Sequence, residues 1–278
     1  MIRRDMSAIS AAVAVAAAGC GGPGGPTPAD TLTYGVPSPP SAVYHIADTM
    51  SIEVQSPFGG TEITGEGSVT IALAFRPDPG GVRVVGTVEA FDGSMAHPMM
   101  GTQTAGPDDL SGDLEVVVGR TGVEELVSFP ELSGAVAQVS SFPALAYILF
   151  SRMPPGDADP GATWVDTVAS LNESMGASTS TTAIGTYTLL GDTVVDGRNL
   201  VHIAVANEVV VESTFEEGGM SVTQSSRGST DGHVLWDPER RLVARAEYER
   251  DVAGTMSMGG MGSMDMAVKG PTRIRLER

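Results

Sequence analysis

The chain has 278 residues, with 16 Lys+Arg against 34 Asp+Glu, a formal net charge of −18 and a single cysteine. Such an acid excess argues against nucleic acid and against docking on anionic headgroups, because both need basic patches. With one cysteine no internal disulfide forms, so a hydrophobic core must carry stability; aromatics at 5% make that core aliphatic and rich in small residues.

Met1-Ile2-Arg3-Arg4 is basic, and an apolar run follows from Ala8 to Ala18. At about 11 residues the run is too short for a bilayer, which needs ~20. A basic start, a short apolar core and small residues are instead the parts of a secretory signal. Ala17-Ala18-Gly19-Cys20 ends it. This resembles the lipobox of bacterial lipoproteins, with Ala17 where that family usually has Leu. The resemblance implies a signal peptide over 1–19 and a lipid on Cys20. Gly21 in place of Asp implies export to the outer membrane. Three acyl chains anchor durably where one binds only marginally. The expected location is therefore the cell envelope, with the membrane as partner through an N-terminal lipid.

Residues 20–42 hold the cysteine and a Gly/Pro-rich stretch that reads as a semi-extended tether. An N-terminal β region is expected over 43–132. There Tyr44, Ile46, Met50, Ile52 and Val54 share one face and His45, Thr49, Ser51 and Glu53 the other, with Asp48 breaking the apolar side once. Alternation of this kind marks a half-buried strand. In the second strand Gly65 and Gly67 fall in phase, and a kink or bulge is expected there. A third strand runs over 82–91, and a hairpin turns around Arg120-Thr121-Gly122, giving a meander of about five strands.

Residues 133–160 are expected to hold a helix and connector. Ser141 is placed as N-cap and Pro143 in the first turn, so the helix spans 142–152. From 161 to 278 a second β region follows, with strands expected at 163–170, 181–190, 198–206, 208–216, 220–228, 231–237, 241–254 and 264–277. The fold class is mainly β: antiparallel sheet, as a half-barrel or a two-lobed meander, with one central helix.

Within that region Gly161-Ala162-Thr163-Trp164, Tyr187-Thr188-Leu189, Asp196-Gly197-Arg198 and Gly232-His233-Val234-Leu235-Trp236-Asp237 follow one another. The series resembles strand-rich bacterial lipoproteins and, more loosely, the half-barrel lipoprotein carriers of the LolA/LppX type. It covers about a third of the chain. It implies an apolar concavity that holds a lipid, and it carries over no individual binding residue.

Met256, Met258, Met264 and Met266 flank a Gly-rich turn that contains Met261. Thioethers are soft ligands suited to Cu(I). These four also continue the apolar face of a hairpin on both sides of the turn, where methionine acts as adaptable packing. They are expected, with Tyr248, Trp164 and Trp236, to form a ligand face. The four histidines show no H-x-H or H-x-x-x-H spacing, Asp157-Ala158-Asp159 departs from a calcium loop after its first ligands, and no hydrolase, phosphate-loop or zincin motif occurs. No catalytic residue, metal site or cofactor is assigned. The function expected is a non-enzymatic, lipid-anchored envelope protein that binds a lipid or a lipoprotein acyl chain on a concave sheet face. Two alternatives stand beside it: a structural or interaction lipoprotein with an acidic surface, and Cu(I) handling through the methionines.

Overall fold

Alternating side chains build strands, and here they build nearly the whole molecule. The computed structural model describes residues 31–56, 59–99, 101–132, 148–174, 177–217, 220–258 and 262–277. The strands are β1 (Ser41–Ser56), β2 (Gly59–Asp78), β3 (Gly81–His97), β4 (Gly101–Ala105), β5 (Leu110–Ser111), β6 (Leu114–Val118) and β7 (Glu124–Ser128). They continue with β8 (Glu131–Leu132), β9 (Thr163–Ser174), β10 (Ala177–Val195), β11 (Arg198–Glu217), β12 (Met220–Asp237), β13 (Leu242–Met258) and β14 (Gly262–Leu276). Twelve form one open antiparallel sheet in the order β7-β6-β3-β2-β1-β14-β13-β12-β11-β10-β9, with β4 added on β3; β5 and β8 pair separately. The two β regions are thus one sheet, joined where β1 pairs with β14 from Tyr44↔Leu276 to Gln55↔Asp265.

The strands are longer than expected. The pairs 198–206/208–216 and 220–228/231–237 are each one continuous strand, β11 and β12. Asn207 and Ser229-Thr230, which read as breaks, lie mid-strand in unbroken register, Asn207 against Thr230. The ladder satisfies their backbone groups, so local turn propensity loses. Of the kink or bulge expected at Gly65 and Gly67, the bulge is absent: neither the β1–β2 nor the β2–β3 register shifts there. The shift lies between Thr70 and Ile71, against β3. Of the helix expected over 142–152, residues 142–147 lie outside the described residues; Ile148 and Leu149 are helical and 150–152 are not. Residues 1–30, Cys20 among them, also lie outside the described residues.

The sheet curls strongly. Arg152 pairs with Glu124 on β7 and with Asp166 on β9, the two outer strands. Both edges therefore lie within reach of one guanidinium. Gly228 on β12 shows why the bend is tolerated: a Cβ there would sit 2.1 Å from the Asp251 carbonyl oxygen on β13. Only glycine allows so close an approach.

The core occupies the end of the curl nearest the 79–80, 196–197 and 238–241 turns, here the near end. Its inner face carries Tyr44, Ile71, Leu73, Val84, Leu189, Ile203, Val234, Trp236 and Ile274. Two segments outside the main sheet close it. Leu32 and Tyr34 come from the N-terminal side, and Leu149, Phe150 and Met153 from the connector before β9. Leu32, Thr33 and Tyr34 are buried, so the folded body begins within the stretch that reads as tether.

Candidate ligand-binding face

Opposite this near end lies the far end, where the β1–β2, β9–β10, β11–β12 and β13–β14 hairpins turn. The inner face changes character between the two ends, and strand register shows where.

At the near end the plug is tight. Tyr34 lies edge-on to Phe150 at 5.8 Å and to Trp236 at 4.8 Å. Its hydroxyl donates to the Ser151 carbonyl at 3.1 Å. Trp236 Nε1 donates to the Thr31 carbonyl at 2.7 Å. Gly122 admits the plug from the other side; a Cβ there would meet the Ser151 oxygen at 2.3 Å. Arg152 donates to Gly122, Glu124 and, at 2.5 Å, Asp166. Burial opposes its charge, but the two carboxylates more than offset that and raise its pKa. Burial also raises the Glu124 carboxyl, and Arg152 only partly opposes this.

Four tyrosines line the inner side. Burial raises the pKa of Tyr34, Tyr44 and Tyr248, and pushes Tyr187 up to about 12. They stay neutral and serve as packing with a polar tip.

A polar belt then crosses the sheet. On β1, Asp48 lies opposite Thr272 of β14, which donates to it. Arg250 of β13 reaches Asp48 at 3.3 Å. From Arg250 the register continues through Thr230, Asn207 and Gly185 to Asp166, the residue held by Arg152. The apparent strand breaks in the sequence are this belt.

Beyond the belt, one row crosses eight strands with no polar side chain. It runs Ile63, Ile52, Val268, Val252, Gly228, Val209, Ala183, Val168. Val252 is buried, and the other seven keep part of their surface in solvent. The next row holds Val54, Met266, Gly254, Ser226 and Val211. On β13 the outward face carries Arg245, Glu247, Glu249 and Asp251, and its inner side chains other than Arg250 are apolar or aromatic; on β9 and β10 the outward face also carries exposed Val165 and Ile184.

No protein-family model matches the sequence, and no curated protein matches it. Among solved structures, the β domain of the Bordetella autotransporter BrkA aligns with a TM-score of 0.24 and 12% identity, over 82% of this chain and 98% of that one. A DUF1329 family protein from Desulfovibrio piger aligns with a TM-score of 0.16 and 10% identity, over 85% and 86%. A domain described as an outer membrane lipoprotein-sorting protein, from Vibrio parahaemolyticus, gives 0.15 and 7%, over 84% and 85%. None of the three reaches a score that fixes a shared fold.

The residues expected to form a ligand face divide between the two ends. Met256 and Met264 face each other across β13 and β14, half-buried in the far half. Met266 is buried there, its sulfur 3.9 Å from the Ser226 hydroxyl. Met258 stands in register with Gly262 and Val222. Trp236 is fully buried in the near core, and Tyr248 is buried just inside the belt, opposite Thr272. Trp164 stacks on Tyr187 at 5.8 Å and donates to the Arg152 carbonyl. These three belong to the closed half. The aliphatic row was legible in each strand as alternation, but only the register aligns it across eight strands.

Proposed function

We propose that the chain is a lipid-anchored envelope protein, held through Cys20, whose far inner face binds an apolar chain such as a lipid or lipoprotein acyl group. The observation that carries this reading is the half-exposed aliphatic row from Ile63 to Val168. Burying such surface is worth ~25 cal/mol per Å², so an alkyl chain laid along it gains affinity without specific polar contacts. Methionines beside the row add adaptable walls. Among the described residues of this face no chemistry-bearing constellation points to catalysis, and the role is carriage.

The anchor sets the orientation. The chain enters the folded body at the near end, where Thr31 receives the Trp236 indole. Strands rise about 3.3 Å per residue, and Gly228 of the row lies eight residues along β12 from Trp236, so the row lies roughly 26 Å along the sheet from that entry. The bound chain is therefore offered away from the anchoring bilayer.

A soluble form starting at Gly21 tests this, since it keeps Leu32 and Tyr34 in the core. Native mass spectrometry should show co-purified lipid, and a fluorescent fatty acid should titrate to saturation. Val209→Glu combined with Val268→Glu should abolish both while the far-ultraviolet spectrum stays that of the parent. A parent protein free of lipid and inert to the fatty acid would favour the structural lipoprotein instead. Radiolabelled palmitate should enter the full chain and not its Cys20→Ser variant.

A further inference from the structure

The outward face of β11 and β12 carries two histidines that are 31 residues apart in sequence. His202 Nε2 and His233 Nδ1 are 3.1 Å apart, with ring centroids at 5.0 Å and planes tilted by 49°. They are diagonal neighbours: His202 lies opposite Leu235, and His233 opposite Ala204. Gly191 stands across from His202 on β10 and contributes no side chain of its own, Pro160 lying 3.6 Å from where its Cβ would be. Glu247 stands across from His233 on β13, where Arg245 holds its carboxylate at 2.6 Å. His233 is exposed and His202 half-buried, and their facing nitrogens approach each other directly.

We propose that His202 and His233 together bind one divalent transition-metal ion of borderline softness, Cu(II) most tightly. Imidazole nitrogens sit about 2.0–2.1 Å from such an ion, which puts two neighbouring ligand nitrogens on one ion roughly 3 Å apart. The observed separation needs little change of either rotamer. The two facing nitrogens offer their lone pairs when the ring protons sit on His202 Nδ1 and His233 Nε2, so binding by the neutral rings requires a tautomer change and no net proton loss. Water completes the coordination, because no group of three His, Cys, Asp or Glu among the described residues is placed around one point. An all-nitrogen pair is a poor site for calcium or magnesium, which take oxygen. Among divalent ions the Irving–Williams order then puts copper first. The net charge of −18 raises the local concentration of any cation.

The site is on the opposite face of the sheet from the aliphatic row, so it stands or falls apart from acyl binding. The test uses the chain from Gly21 without a histidine tag. Calorimetric titration with Cu(II) should give one equivalent, and frozen-solution electron paramagnetic resonance should show coupling to two imidazole nitrogens. His202→Gln and His233→Gln should each weaken binding roughly tenfold or more, while His97→Gln leaves it unchanged. Saturable Cu(II) binding of equal affinity in the His202→Gln/His233→Gln double variant overturns the proposal. So does a parent chain that takes up no stoichiometric copper.

Discussion

Ile203 and Ile52 lie on the same side of one sheet, in strands of the same alternating pattern. Ile203 has no exposed surface and Ile52 keeps part of its own. The difference is not in the strands. It comes from Leu32–Tyr34 and Leu149–Met153, which fill the near end of the curl. Alternation decides which face is apolar, and a separate segment decides whether that face becomes core or remains a surface able to take a ligand. The belt from Asp48 to Asp166 marks the border between the two outcomes.

The clasp at Arg152 offers the strongest way to break this contrast. Arg152→Ala leaves Glu124 buried without its cation, and losing one partner of a buried pair costs about 3–5 kcal/mol. Urea denaturation should show that loss, and hydrogen exchange should rise first in β7 and β9. A variant as stable as the parent would mean that the plug, and not the clasp, closes the curl.

Paired truncations sharpen the comparison. Ile203→Ala should cost about 2–5 kcal/mol, as for other fully buried isoleucines. Ile52→Ala should cost roughly 1 kcal/mol, because part of its surface is already in water. Equal costs in chemical denaturation would erase the distinction between a closed and an open half.

The smallest effect concerns pH. Burial holds the Glu124 carboxyl above its usual range. The folded chain therefore binds that proton more tightly than the unfolded chain does. This contribution to stability is complete below the usual glutamate range and is lost as pH rises through the raised value. Glu124→Gln removes it, so the variant should gain relative to the parent as pH rises from about 4. A relative change of the opposite sign, read from unfolding free energies at several pH values, would show that Arg152 outweighs burial at Glu124.

Much of this was legible beforehand. The hairpin around Arg120-Thr121-Gly122, the first three strands and the in-phase methionines are all visible as period-two patterns and turn residues, because both are local. Asn207 and Ser229-Thr230 misled for the same reason: a polar residue inside a long strand has the same local appearance as a turn. Trp164 and Trp236 could be placed next to turns, but nothing in their neighbourhood told which end of the sheet those turns would close. Leu32–Tyr34 look like tether by composition, and their burial depends on Phe150 and Trp236, far away in the chain.

By itself the amino-acid order determined that this protein is an acidic, antiparallel β molecule with an apolar face alternating along strands such as β1 and β13, since side-chain alternation is a property of neighbouring residues. Tertiary structure alone decided that the strands form a single curled sheet, that a belt of polar residues divides it, and that one half is filled while the other keeps a partly exposed aliphatic row. Those outcomes depend on register and on which distant segment packs where, and neither is encoded within any one stretch of chain.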